Sequence, residues 1–323
     1  MSGGPCILVA SHMTKVDRIP LLMETLHSLI QQTYTTPIYL SISFEDNEIR
    51  DSFIQTVSEN ETINAFPYLW ILMRRTKTPQ MRHFALLFPE ITEKNYEWIF
   101  FSDDDDIYDK DRVKVFMEAI ELEKQHQQTQ QEQEQRPIAG VYESSFGKEH
   151  REQRHEYWCY CLNIETLRRF YLAIHSYEDI VNHQCCDVLL GEYLRRMNDD
   201  QIFIRICEQY YHYRVENNED SVTAKIQKSR STWVPKPPSI GDPKFSEYII
   251  ELDDYLYENI ELYFHDAYLR TLIGQSFDTI LQYEFKEDYP LITYLDEVHI
   301  YKLKTFFLYI QKVCNELYDI KIE

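Results

Sequence analysis

The sequence predicts an α/β protein with a largely parallel sheet, extended at its C-terminal end by a helical region. Three observations carry that expectation. Over roughly the first hundred residues, short apolar runs alternate with segments of helical spacing, the pattern of β-α units. The fourth apolar run, Glu97 to Phe101, leads into four consecutive aspartates, Asp103 to Asp106, and α/β folds gather ligands at the carboxyl ends of their strands. Finally, Lys244 to Glu323 is dense in Tyr, Leu, Ile, Asp and Glu with almost no Gly or Pro, a composition that favours helices.

Each element has a local reason. Cys6 to Ala10 is an apolar run of the kind that makes a central strand. Asp17 to Gln32 places Ile19, Leu22, Leu26, Leu29 and Ile30 on one helical face, with Pro20 in the first turn, where its missing N–H does no harm. Ile38 to Phe44 is the second strand and ends in Glu45 and Asp46; the polar helix Glu48 to Val57 follows. Tyr68 to Met73, ending in Arg74 and Arg75, is the third strand, and Thr78 to Leu87 opens a helix at Pro79. Glu121 to Arg136 is rich in Gln and Glu and reads as a low-complexity surface insertion. Strands at Ile138 to Tyr142 and Glu156 to Leu162 precede helices at Asn163 to His175 and Cys186 to Met197. Ile202 to Ile206 and Tyr210 to Val215 are strand-like, and Trp233 to Pro243, with four prolines and a glycine, is a linker. The expected domains are therefore 1–235 and 236–323.

Composition narrows the function. The 323 residues are 44% hydrophobic, ample for a core. A net charge of −21 argues against nucleic acid as a partner. Seven cysteines, an odd number, with no basic leader and no apolar run near the ~20 residues of a membrane helix, point to a reduced, cytoplasmic protein without a transmembrane segment. Cys159 and Cys161 share a strand face, but the Cys-x-Cys and adjacent-cysteine spacings do not suit structural zinc.

The aspartates raise a plain electrostatic problem. Four like charges at a strand's end repel one another, and an all-oxygen donor set suits Mg²⁺ or Mn²⁺, which commonly take one or two carboxylates together with a substrate's phosphates. A solvated acidic turn is the alternative.

With these parts in place, the sequence resembles the GT-A glycosyltransferases, the family-2 inverting group above all. DDDDIYDKDRV fits that family's D-x-D-D-x-aromatic motif, RIPLLMETLHSLIQQTY its first helix, and QMRHFALLF its A-R-N helix. The segment from Cys185 to Thr223 is similar to the family's E-D-x-x-L-x-x-R helix with the Y-R-x-H and S-x-T that follow. The resemblance spans roughly residues 5 to 235. It implies a Rossmann-like mixed, mostly parallel sheet flanked by helices, a nucleotide-diphosphate sugar donor, UDP above all, and Mn²⁺ or Mg²⁺. It also implies a glycan, protein or small-molecule acceptor. Asp105, supported by Asp106, would hold the metal, with Glu216 at the family's histidine position and His212 as a substitute. Asp103 and Asp104 would lie on the donor side, Asp104 as the outward-facing spacer. Ser11 and His12 occupy the nucleotide loop, Glu45 and Asp46 the base edge, and Arg82 the diphosphate. Asp187 takes the catalytic base position, although its neighbour, commonly Glu, is Cys186.

Each residue has a plainer reading beside this one. Asp187 could be a first-turn helix charge, Glu45 and Asp46 turn residues, and Arg74, Arg75 and Arg82 solvated surface charges. The rival functions are a sugar- or nucleotide-binding protein of the same fold without activity, and an aspartate-based phosphotransferase. A calcium loop starting at Asp103 fails, because its sixth and twelfth positions are Tyr108 and Lys114 rather than Gly and Glu. The C-terminal helices could also pair two copies of the chain.

Overall fold

The computed structural model describes residues 3–129, 136–143, 156–183, 186–197, 201–214, 238–239, 241–251, 254 and 296–318. The chain forms two compact units, Met1–Val215 and Glu216–Glu323.

The first unit is built on β1 (Pro5–Met13), which pairs in parallel with β2 (Ile38–Phe44) on one side and β4 (Trp98–Ser102) on the other. Leu8, Val9, Ile99, Phe100 and Phe101 are wholly buried. Central strands of a sheet covered on both faces carry such unbroken apolar runs. Outside β2 lies β3 (Leu69–Met73), also parallel. On the far side β7 (Tyr160–Asn163) runs antiparallel to both β4 and β6 (Ile138–Glu143), and β8 (Ile202–Ile206) is parallel to β6. The resulting order is β3-β2-β1-β4-β7-β6-β8, a mixed and mostly parallel sheet as expected. A two-stranded antiparallel ribbon joins β5 (Ile107–Tyr108) to β9 (Tyr211–His212).

Helices cover the sheet. They are α1 (Ile19–Ile30), with its proline in the first turn, α2 (Asn47–Glu59), the short α3 (Glu61–Ala65) and α4 (Gln80–Glu93). After β4 come α5 (Arg112–Thr129), α6 (Ile164–Ile174), α7 (Glu178–Val181) and α8 (Cys186–Arg195). α4 packs over β1 and β2, where Phe84 meets Phe101 edge-on at 5.2 Å. One glycine is dictated by close approach: a Cβ on Gly140 of β6 would sit 2.7 Å from the Cys161 carbonyl oxygen of β7.

Two local expectations change. The Gln- and Glu-rich run begins as the last turns of α5, which continues to Thr129; straight-chain residues with high helix propensity extend a nucleated helix without an apolar face. The strand expected from Glu156 starts only at Tyr160, after a single 3₁₀ turn over Tyr157–Cys159, and that turn aims Tyr157 at the aspartates. In the second unit helices are described over 245–251 and in α9 (Glu297–Tyr318), with Phe245, Tyr248 and Val313 buried. Most of the linker expected at Trp233 to Pro243 lies outside the described residues.

Candidate active site

The four aspartates follow β4 directly, and each carboxylate has its own surroundings. Asp103 accepts from Gln80 Nε2 at 2.6 Å and from the Tyr157 hydroxyl, and its N–H donates to the Tyr211 hydroxyl at 3.0 Å. Asp104 accepts from Ser11 Oγ at 2.6 Å and from Arg18 Nη2 at 2.8 Å. Asp105 lies 3.5 Å from the same Arg18 nitrogen, and its carbonyl accepts from Arg214 Nε. Asp106, fully buried, accepts from the Tyr211 hydroxyl and the Arg214 N–H, both at 2.8 Å.

Asp104 is thus a correction: it turns inward and is only 8% exposed, instead of serving as an outward spacer. A turn of four successive aspartates cannot alternate like a strand, and Arg18 with Ser11 offers the second one a charge-assisted site.

On β2, Ser41 and Ser43 bracket a buried imidazole. His83 Nδ1 lies 2.8 Å from Ser41 Oγ and its Nε2 3.3 Å from Ser43 Oγ. His12 continues the chain, with Nδ1 2.9 Å from Ser43 Oγ and Nε2 3.0 Å from Glu45 Oε2. Lys77 lies 3.8 Å from the same Glu45 oxygen. His12 and Lys77 hold the Glu45 carboxyl below its ordinary range. Asp46 has the turn role: its Oδ1 caps α2 by accepting from Ile49 N at 2.9 Å. Arg82 points to Glu178 of α7 at 3.3 Å, where its side chain is 37% exposed. The α4 residue that reaches the aspartates is Gln80.

Asp187 stands half-buried in the first turn of α8. Burial above all, then Asp103 and more weakly Asp187, push the Tyr157 hydroxyl above its ordinary range, and that hydroxyl donates to Asp103. Glu216 lies outside the described residues. His212 is exposed, and alternation along β9 sends it to the face opposite Tyr211, away from Asp106. Cys6, Cys159, Cys161 and Cys186 are buried thiols, while Cys207 is exposed.

Crowding has an electrostatic signature. Burial, then Asp106 and Asp105, push the Asp103 carboxyl well above the usual range. Burial and the flanking Asp104 and Asp106 raise Asp105 to about 7, against the pull of Arg18 and Arg214. Asp106 rises to about 6, mainly through burial. A bound divalent cation would relieve that repulsion, and the oxygen donors suit a hard ion. Among the described residues no three His, Cys, Asp or Glu side chains converge on one point.

A cavity of about 360 Å³ opens elsewhere, lined by Glu97, Trp98, Lys124, Arg136 and Arg169 among others. It lies at the start of β4, the opposite end from the aspartates, and the chemistry follows the carboxylates.

Arg18, Gln80, Tyr157, Tyr211 and Arg214 are site residues that sequence reasoning missed. Tyr211 and Arg214 stood in the recognised CEQYYHYRVE segment, but nothing in a linear pattern says which tyrosine turns inward. Arg18 opens the RIPLLMETLHSLIQQTY segment, but nothing in that pattern says that its side chain turns to the aspartates.

The class these features define is an α/β protein with a mixed, mostly parallel seven-stranded sheet and an acidic turn at the carboxyl end of β4. No protein-family model matches the chain, and no curated protein does. Among solved structures it is similar to S. aureus TarS 1-349 in complex with UDP, with TM-score 0.43 and 11% identity over 97% of this chain and 89% of that one. It is also similar to the same protein in complex with UDP-GlcNAc, with TM-score 0.41 and 11% identity over 97% and 89% of the two chains. Among the described residues no helix is long and apolar enough to cross a membrane.

Proposed function

We propose that the chain is a glycosyltransferase that moves a sugar from a nucleotide-diphosphate sugar, UDP being the first candidate, to an acceptor hydroxyl with inversion. The observation that carries this is the aspartate turn at the carboxyl end of β4, with its buried and crowded carboxylates.

Asp105 and Asp106 would hold Mn²⁺ or Mg²⁺, which supplies Lewis-acid stabilisation of the departing diphosphate. Asp103, steadied by Gln80 and Tyr157, faces the donor. Glu45, already oriented by His12, offers an acceptor oxygen to the base edge, with Ser11 and His12 forming the floor of that side. Asp187 takes the proton of the acceptor hydroxyl, a poor nucleophile while protonated. Attack from the face opposite the nucleotide inverts the anomeric carbon.

A screen of sugar nucleotides for hydrolysis with Mn²⁺ or Mg²⁺ tests the reading. Release of nucleoside diphosphate from at least one donor is expected. Donor binding without turnover, even with acceptors supplied, would assign a binding role instead, and no binding of any donor would overturn the reading.

A further inference from the structure

We propose that the buried Arg112–Glu143 pair positions Asp103 and Asp106 through Tyr211; the inference deepens the transferase reading and rests on it for its consequence in donor binding. Both side chains of the pair are fully buried, with Arg112 Nε 2.6 Å from Glu143 Oε1. Stability alone is a weak account of such a pair, because well-packed apolar residues of similar volume often do as well or better.

The geometry supplies another account. Glu143 Oε2 accepts the Tyr211 N–H at 3.0 Å and also the Tyr210 N–H. Arg112 Nη2 donates to the Trp158 carbonyl at 2.7 Å, and the Trp158 ring stacks on Tyr211 at 4.4 Å and 15°. The Arg112 guanidinium itself lies 5.1 Å from the Tyr211 ring centroid. Tyr211 is therefore held at its backbone by one member of the pair and at its ring through the other.

The strand that carries it needs this help. β9 has two residues and, among the described residues, pairs only with the two-residue β5, far short of a ribbon that is stable by itself. The Tyr211 hydroxyl then accepts from the Asp103 N–H and donates to the Asp106 carboxylate. One oxygen thus ties together both ends of the aspartate turn, and the pair sets where that oxygen sits.

Tyr211→Phe, which deletes only the hydroxyl, is the primary test, read by two measurements. Amide exchange at Asp103 does not depend on any donor and is expected to quicken about tenfold or more, while amides of β1 and β2 keep their rates. UDP affinity in the presence of Mn²⁺ is expected to fall about tenfold or more, the scale of a lost hydrogen bond to a charged group. Glu143→Leu is expected to reproduce both changes, with the double variant no worse than Glu143→Leu alone. If Glu143→Leu fails to fold, Tyr211→Phe still tests the hydroxyl link through which the pair would act. Unchanged exchange at Asp103 overturns the proposal, whatever happens to affinity. Quickened exchange in a protein whose wild type binds no nucleoside diphosphate upholds the positioning and sinks the transferase reading.

Discussion

Arg18 donates to Asp104 at 2.8 Å, joining residues 86 positions apart. With Ser11 on the other carboxylate oxygen, the second aspartate of the turn becomes an anchor to the start of α1 and leaves ligand contact to its neighbours. Arg18→Ala is expected to cost about 1–3 kcal/mol, because it strips a charged partner from a nearly buried carboxylate. Denaturant unfolding measures it, and a change below a few tenths would show that the pair holds nothing.

Asp105 stands between two guanidinium-bearing neighbours and two carboxylates, and it is expected to be the main protein ligand for the cation. UDP with Mn²⁺ should raise the melting temperature of the wild type, and Asp105→Ala should remove that rise. A persistent shift in the variant would move the ion elsewhere.

Asp187→Asn keeps the shape of the side chain and removes its basicity. Donor binding is expected to survive, with transfer reduced by about 10²–10⁴, the usual contribution of a general base. Normal turnover by this variant would exclude Asp187 from that role.

His83 makes stability depend on pH. Burial, aided by Arg74 and His12, pushes its pKa down to about 3, whereas an unfolded histidine titrates near ~6.5. Between those values the unfolded chain binds the extra proton, so stability is complete above about 6.5 and is lost as pH falls towards 3. The slope from this one group is at most about 1.4 kcal/mol per pH unit. Denaturation from pH 7 to 4 should show a shallower slope for His83→Gln than for wild type; equal slopes would mean that the imidazole is not held neutral.

The sheet was legible because its strands are apolar runs of ordinary length and its helices keep their period; Ile38 to Phe44 matches β2 at both ends. The aspartate turn was legible because charge density at a strand's end is a linear signal. What could not be read is the ring of partners around it. Arg18, Gln80, Tyr157 and Tyr211 come from four separate segments, and each is an ordinary residue where it stands in the sequence. Asp104 was misplaced for the same reason: its direction depends on Arg18 and Ser11, not on its neighbours in the chain. Asp46 shows a different limit, since an acidic residue ahead of a helix serves equally well as a cap or as a ligand.

The bonds from Tyr211 and Arg214 to Asp106 span 105 and 108 positions. That distance sets a timetable for synthesis. By the time a ribosome has released β1 to β4, the strands beneath the aspartates have what they need to pair and Asp104 has Ser11 and Arg18, but the groups that hold Asp106 have not been made. Long-range closures of this kind come late in folding. A chain ending before β9 would keep the central strands and the partners of Asp103 and Asp104 on β1, α4 and the 3₁₀ turn, but would lack the two groups that hold Asp106. The acidic turn belongs to the first half of the unit by sequence, and to its last residues by the order in which it becomes a site.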